Sequence, residues 1–460
     1  MRGWLTLLSM FAVACTANRG GLAEVRHDAG TVDADDFRDA NDDTNPTDDV
    51  GVDAPEERCV EGSSRCAEAD VLDRCLGGIW QPYTCRDGCS FELGTCAPIE
   101  TSNGLGRLAE WAHVGSLSVA PDEFVVADTT DGRVEERRRS SPMEVVRVLR
   151  EPGEGTNAGI EFGVVGGIGV FRLAGMSVDR DGELRLIGSR PAAVLASGDI
   201  RIAGVLSLRP LGSVPAAGSN SGEVGDGEPG RAGVSSFDSG GGGGGNAFDG
   251  ASGGNAPGST TGGSGGAAHG TSSVSPLVGG GSGGMGGGAL GGAGGHGGGA
   301  VQLSAAGELS LTGVLDVGGG GGQGGGNGST GGGGGGGGAG GSALIEAPTI
   351  VATGIVVVSG GAGGQGTTCE TACVGDAAGR TGDDGSAVVP ARGSPILGTG
   401  GGGGDGSDST GQPRFGFIGT NGGGGGGGAG RVRFNTRTGS EDFRSVCPSG
   451  EIGIGVVARP

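Results

Sequence analysis

The chain contains no lysine: all 30 of its basic residues are arginine. That absence excludes a lysine Schiff base, a lysine general base and the GxxxxGK phosphate loop. Aromatic residues fill only 3% of positions and hydrophobic ones 34%, so the large side chains that dominate core burial are in short supply along 460 residues. Basic charge is short as well. The formal net charge of -22 lacks the basic footprint of nucleic-acid binding and disfavours docking on an anionic lipid surface. Beyond the N-terminal segment no run of about 18 apolar residues occurs, so no further spanning helix is expected. What is abundant is glycine, 117 residues, mostly after residue 218. A conventional core cannot extend along the whole of such a chain.

Arg2 gives a short positive n-region, Trp4 to Val13 an apolar h-region, and Ala12-Val13-Ala14 precedes Cys15. This predicts a secretory signal over residues 1–14, too short to cross a bilayer. The segment resembles a bacterial lipobox, in which small residues precede a cysteine that becomes diacylated and forms the new N-terminus. Ala12 departs from that pattern, which usually has a larger apolar residue there, and Ala-Val-Ala also fits ordinary signal-peptidase cleavage. The resemblance implies lipidation at Cys15 and a membrane partner through that anchor. Thr16, rather than Asp, implies the outer membrane and the cell surface. Without lipid the chain is expected to be secreted. Residues 28–57 then hold twelve acidic residues against Arg38 alone and almost no large apolar side chain. Residues 15–57 therefore read as a disordered acidic tether that holds the rest away from the membrane.

Residues 58–98 hold Cys59, Cys66, Cys75, Cys85, Cys89 and Cys96. Six cysteines so close together in an exported chain predict a disulfide framework, with fifteen possible connectivities. Zinc prefers tight Cys-x-x-Cys pairs, and the closest spacing here is Cys85-x-x-x-Cys89 with no histidine in the segment, so no metal is expected. Trp80 and Tyr83 read as packing on the bridges or as a contact surface. The spacing Cys-x6-Cys-x8-Cys, followed by Gly77-Gly78-Ile79-Trp80, resembles the short cystine modules of surface lipoproteins from myxobacteria and their relatives. The likeness implies location and architecture, not an activity.

A repeat lies under the glycine. Val194 to Leu208, Leu303 to Val317 and Leu344 to Val358 align without gaps, each with apolar alternation, a fixed glycine (Gly204, Gly313, Gly354) and a second alternation. A partial copy begins at Val178, sixteen residues before Val194. Period two predicts strands with one buried face, and the fixed glycine a bend where a side chain would clash or φ must be positive. A sixteen-residue step suits one coil of a parallel β-solenoid, predicted over residues 161–460, with 99–160 as a cap or short β region. Glu123 to Ala127 and Met143 to Leu149 read there as short strands, and Arg137, Arg138 and Arg139 as a solvated turn. The rival is an antiparallel sandwich. The fold class is thus mainly β. Polyglycine insertions fill 210–300, 318–341 and 359–430, with the longest pure runs at 240–245, 318–322, 331–338 and 422–428. Glycine does not keep every third position throughout, so collagen is excluded. Disorder is the expected state of such runs. The alternative is extended polyglycine packed across a side-chain-free contact. This combination resembles glycine-rich surface lipoproteins of myxobacterial type.

Catalytic motifs fare poorly. The GxSxG matches at 262–266 and 280–284 lack the strand and helix of a nucleophile elbow. The GGxGxD match at Gly403 to Asp408 stands alone, although calcium rolls need stacked copies. His27, His113, His269 and His296 are far apart in sequence, and Glu110 with His113 reads as a surface pair. Cys369 and Cys373, with Cys447 downstream, read as one local or long-range bridge. Asp199 and Glu308 occupy equivalent places in their copies and Asp316 lies nearby. A solenoid carbohydrate-active enzyme would draw on such carboxylates, but charged strand edges also discourage sheet association. The expectation is a non-enzymatic surface protein, structural or adhesive, with a polysaccharide or surface-protein ligand and no cofactor. The two alternatives are that enzyme and a protein-binding cystine module on a spacer.

Overall fold

The computed structural model describes residues 58–456, apart from 61–62, 69–70, 85–88, 91–94, 97–98, 109–113, 213, 220–224, 234–236, 259, 328–330, 369–377, 387–388, 396–399, 408–411 and 438–449. Cys15, the tether, Cys85, Glu110, His113, Cys369, Cys373 and Cys447 lie outside the described residues.

The cystine module is antiparallel. Strands β1 (Ser64–Cys66), β2 (Val71–Leu76) and β3 (Ile79–Thr84) form one sheet, with β4 (Cys89–Ser90) and β5 (Thr95–Cys96) as a ribbon. Cys59 is bridged to Cys75 and Cys66 to Cys89. Trp80 is half-buried beneath the Arg65 guanidinium, 4.4 Å from its ring centre.

The remaining strands are short. They are β6 (Leu117–Val119), β7 (Phe124–Asp128), β8 (Val134–Arg138), β9 (Ser141–Arg150), β10 (Gly155–Asn157) and β11 (Ile160–Val165). Triplets follow: β12 (Ile168–Leu173), β13 (Met176–Val178) and β14 (Glu183–Ile187); β15 (Ala192–Ala196), β16 (Ile200–Ile202) and β17 (Val205–Ser207). Two more triplets come after them: β18 (Ala300–Ala305), β19 (Glu308–Leu311) and β20 (Val314–Asp316); β21 (Ser342–Glu346), β22 (Thr349–Ala352) and β23 (Ile355–Val357). β24 (Arg431–Thr436) and β25 (Glu451–Val456) end the series.

The triplets feed three parallel ladders. The first runs β12-β15-β18-β21-β24-β25, the second β6-β13-β16-β19-β22 and the third β7-β14-β17-β20-β23. Two pieces add antiparallel strands at the start, β8-β9 on the third ladder and β10-β11 on the first, so the protein is mainly β with parallel and mixed sheets. The predicted alternation places Val178, Leu184, Ile200, Ile202, Leu206, Leu309, Leu311 and Leu315 in one aliphatic core. Residues 99–108 and 274–277 cover the outer face of the first ladder, with Ile99, Leu105, Leu108, Val274 and Leu277 against Leu195 and Leu344. Glu346, buried there, accepts from Ser102 Oγ (2.5 Å), Gln302 Nε2 (2.8 Å), Ser304 Oγ (2.9 Å) and Asn435 Nδ2 (3.0 Å).

Three sequence expectations are corrected. Met176 pairs with Ile200 and Phe171 with Val194, so a ladder step spans well over sixteen residues. The likeness between Val178 and Val194 compares successive strands, not successive rungs. Leu303 pairs with Ile345 rather than Leu344, because Ala347-Pro348 makes that corner one residue shorter than 305–307 does in the preceding triplet. Of the three arginines only Arg139 is in the turn: Arg137 and Arg138 lie in β8, with Arg137 paired to the buried Glu135. Gly204, Gly313 and Gly354 lack positive φ. They form a column in which a methyl on one would strike the main chain of the rung before it.

Arg150 locks the start of the stack. Its buried guanidinium donates to the carbonyls of Ile160 (3.1 Å), Gly132 (2.8 Å), Glu151 (2.8 Å), Gly153 (2.6 Å) and Gly155 (2.7 Å). Burial draws its pKa below the ordinary arginine value, partly offset by Asp131. Arg150→Met strips the donors from those carbonyls and is expected to cost about 3 kcal/mol or more, measured by urea unfolding of the full chain.

Candidate interaction surface

Every long glycine-rich excursion leaves after the third strand of a triplet (β17, β20 or β23) and returns to the first strand of the next. Starting points are therefore neighbours in one ladder and end points neighbours in another. Main-chain bonding continues past the strands: Gly319 N–H donates to the Ser359 carbonyl, Gly322 to Ala362 and Gly325 to Gln365, at 2.8–2.9 Å. The recurrence every third residue is the period of a polyproline-II chain. No glycine of runs 240–245, 331–338 or 422–428 has positive φ, as that left-handed helix requires.

These pure runs form the interior of a lattice. In 240–245, the N–H groups of 240 and 243 donate to 254 and 251, those of 241 and 244 to 334 and 337, and those of 242 and 245 to 228 and 225. The carbonyls accept from 263 and 266, from 284 and 281, and from 425 and 428. Three donor and three acceptor directions are filled, so every side-chain direction faces another backbone. A methyl at Gly243 would strike the Gly426 carbonyl, one at Gly336 that of Gly242, and one at Gly427 that of Gly338. The expectation of disorder for these runs is thus corrected. They are buried, hydrogen-bonded chains, and glycine is required because backbone neighbours in every side-chain direction lie too close for a Cβ.

Side chains appear at the perimeter with the same period. Leu290, Ala293 and His296 project from one segment and Ser282 and Met285 from its neighbour, with glycines filling most of the inward positions. In 379–385, Gly379, Gly382 and Gly385 face inward, and Arg380, Thr381, Asp383 and Asp384 are exposed. Acidic and amide side chains cap N–H groups along the lattice. Asp226 accepts from Ser282 (2.7 Å), Asp249 from Ala268 (2.6 Å), Asp384 from Gly321 (2.9 Å), Asp405 from Gly393 (2.9 Å) and Asn255 from Gly262 (2.9 Å). The segment 414–418 forms an apolar corner: Phe415, Phe417 and Ile418 are 69%, 49% and 72% exposed. Their backbone is held by Arg414 N–H on the Asp405 carbonyl (2.9 Å), Gly416 on Ser252 (3.0 Å) and Phe417 on Gly402 (2.9 Å).

The carboxylates singled out in the sequence are tied to the scaffold. Asp199 and Glu308 stand on adjacent rungs, where Asp199 Oδ1 accepts the Glu308 N–H at 2.9 Å and Oδ2 pairs with Arg201 at 3.1 Å. Asp316 pairs with Arg209 at 2.6 Å, and Arg209 reaches Asp384 at 3.1 Å, joining ladder to bundle. Burial works against the Arg209 charge, but Asp316 and Asp384 more than offset it and raise its pKa. His269 Nε2 lies 3.0 Å from the Gly279 carbonyl and His296 is exposed. The GxSxG segments at 262–266 and 280–284 and the 403–407 segment are strips of the lattice. A cleft of ≈ 90 Å³ beside Glu135 is bordered by Asp128, Asp131, Arg133 and Arg137, with Glu135 paired to both arginines. Among the described residues no group of three or more His, Cys, Asp or Glu side chains is placed to hold a metal ion, and no helix is long and apolar enough to cross a membrane. Comparison with family models finds no match, and comparisons with curated proteins and with solved structures find none either.

Gly336→Ala is expected to cost about 3 kcal/mol or more, because neither backbone can give way. Gly320→Ala points outward, its nearest neighbour 3.4 Å away at His296, and is expected to be neutral or slightly stabilising. Thermal melts of the two variants check the contrast. Burial also pushes the Asp238 carboxyl above its ordinary value, partly offset by the Gly233 N–H that it accepts. The folded chain then holds the extra proton, so stability falls as pH rises from the ordinary aspartate value of 3.8 through the raised one. Asp238→Asn keeps the acceptor and is expected to flatten that decline and raise the melting temperature at neutral pH.

Proposed function

We propose that this chain is a non-enzymatic surface protein of the cell envelope: a β-solenoid, lipid-anchored at Cys15, that carries a rigid glycine bundle for structural or adhesive contact. The observation that carries the reading is the build of the bundle. Its innermost glycine runs are main chain alone, perimeter side chains project outward at a period of three, and its apolar corner of Phe415, Phe417 and Ile418 stands on a hydrogen-bonded backbone. Such a body displays side chains at fixed positions without needing a large aliphatic core. Exposed apolar clusters on a rigid support are characteristic of contact surfaces. The solenoid reading is supported by triplets that feed the same three parallel ladders in chain order. The anchor is supported by the lipobox-like residues before Cys15, and the stand-off from the membrane by the acidic stretch that follows.

Proteinase treatment of intact cells, followed by immunoblotting for the repeat region, tests the reading. Wild-type chain is expected to be degraded, and the Cys15→Ala chain to be released to the medium. Protection of the wild-type chain in intact cells would overturn the surface assignment. Retention of the Cys15→Ala chain would overturn the anchor.

A further inference from the structure

The outer face of the second ladder carries two polar rows that run along the stack. Register pairs Ser118 with Ser177, Ser177 with Arg201, Arg201 with Ser310 and Ser310 with Val351. At the strand starts lies a parallel row, Ser116, Gly175, Asp199, Glu308 and Thr349. Between the rows lies an open groove of ≈ 320 Å³ over Ala174, Gly175 and Met176, at the lower end of the size range of small-ligand sites. We propose that this groove binds a neutral linear polysaccharide laid along the stack, an inference that rests on the surface role above.

The chemistry of the lining selects that class. Serine hydroxyls both donate and accept, and the Ser177 hydroxyl donates to Ser118 Oγ at 3.0 Å, leaving the Ser118 proton for another acceptor. Arg201 supplies donors from a guanidinium that is 68% exposed, held by Asp199 at 3.1 Å. Asp199, the carboxylate that lines the groove, is already paired with Arg201 and accepts the Glu308 N–H, which disfavours a cationic ligand. The paired Arg201, the nearby Glu308 and a net charge of -22 disfavour an anionic polymer. An extended peptide finds only the three-residue outer edge of β6, since β13 and β16 are paired on both sides, and no deep apolar pocket among Ala174, Gly175 and the buried Met176. A polymer with a repeating polyol unit meets hydroxyl or guanidinium groups on one rung after another, and a shallow open groove leaves its two ends free to continue.

Affinity electrophoresis of the full chain in gels containing hydroxyethyl cellulose, with polygalacturonate as the anionic comparator, tests the proposal. Retardation is expected in the neutral gel only. The double variant Ser118→Ala with Arg201→Ala is expected to bind about tenfold more weakly at an unchanged melting temperature, since both side chains are exposed. Ser118→Trp, which fills the groove, is expected to abolish retardation. Absence of retardation in the neutral gel, stronger retardation by the anionic polymer, or retardation untouched by both variants would each overturn the proposal. Proteinase shaving separates the two readings. A chain degraded on intact cells that binds no neutral glycan removes the groove and leaves the surface role. A protected chain that binds through Ser118 and Arg201 does the reverse.

Discussion

Main chains that hydrogen-bond side by side lie about 4.8 Å apart, and the ladders impose that spacing wherever an excursion leaves or rejoins them. Two chains at that distance leave room between them for backbone atoms and little else. The continuation of Val314–Asp316 beside Ile355–Val357 as residues 317–326 beside 358–365 carries ladder spacing into a region where most positions have no room for a side chain. The glycine content follows from this distance repeated on every side of a chain. Runs enclosed on all sides must be glycine throughout, whereas perimeter segments such as 290–296 release one position in three.

Such a lattice holds together without a hydrophobic core. Ordering the backbone of one residue costs about 1–2 kcal/mol, and glycine loses more freedom than any other residue. One intramolecular hydrogen bond returns only about 1 kcal/mol net. The bundle is therefore close to balanced on its own, and the ladders tip it by fixing the ends of each excursion. The aliphatic core of Leu184, Ile200, Leu309 and Ile350 and the Arg150 clamp stabilise the bundle indirectly, through the strands they hold. Part of the acidic surplus has a local purpose as well. Asp226, Asp249, Asp384 and Asp405 satisfy N–H groups at the lattice edge, where an unpaired donor would invite another chain.

The strands were legible because alternation and the fixed glycine are written in side chains. Gly204, Gly313 and Gly354 lie at one corner, as their alignment implied, and the parallel ladders exclude the antiparallel sandwich there. The sixteen-residue spacing understates the ladder step because strands of one triplet resemble each other as closely as strands of successive triplets do. The slip at Leu344 came from Pro348, whose shortened corner leaves no mark in the apolar pattern. The order of the glycine runs was not legible from composition, since free polyglycine and enclosed polyglycine have the same residues. A period-three signal was nonetheless present in Leu290, Ala293 and His296 and in Gly379, Gly382 and Gly385. The apolar corner at Phe415, Phe417 and Ile418 gave no signal, because its exposure depends on which segments surround it.

Amide hydrogen exchange of the full chain, resolved to peptides, is the most direct measurement of the central claim. Residues 240–245, 332–338 and 422–428 are expected to exchange as slowly as the strands Ala192–Ala196 and Ser342–Glu346, because each amide of these runs is buried and bonded. Exchange of the three runs at the rate of an unstructured glycine chain, with the strands still protected, would contradict the lattice and return the glycine to flexible loops.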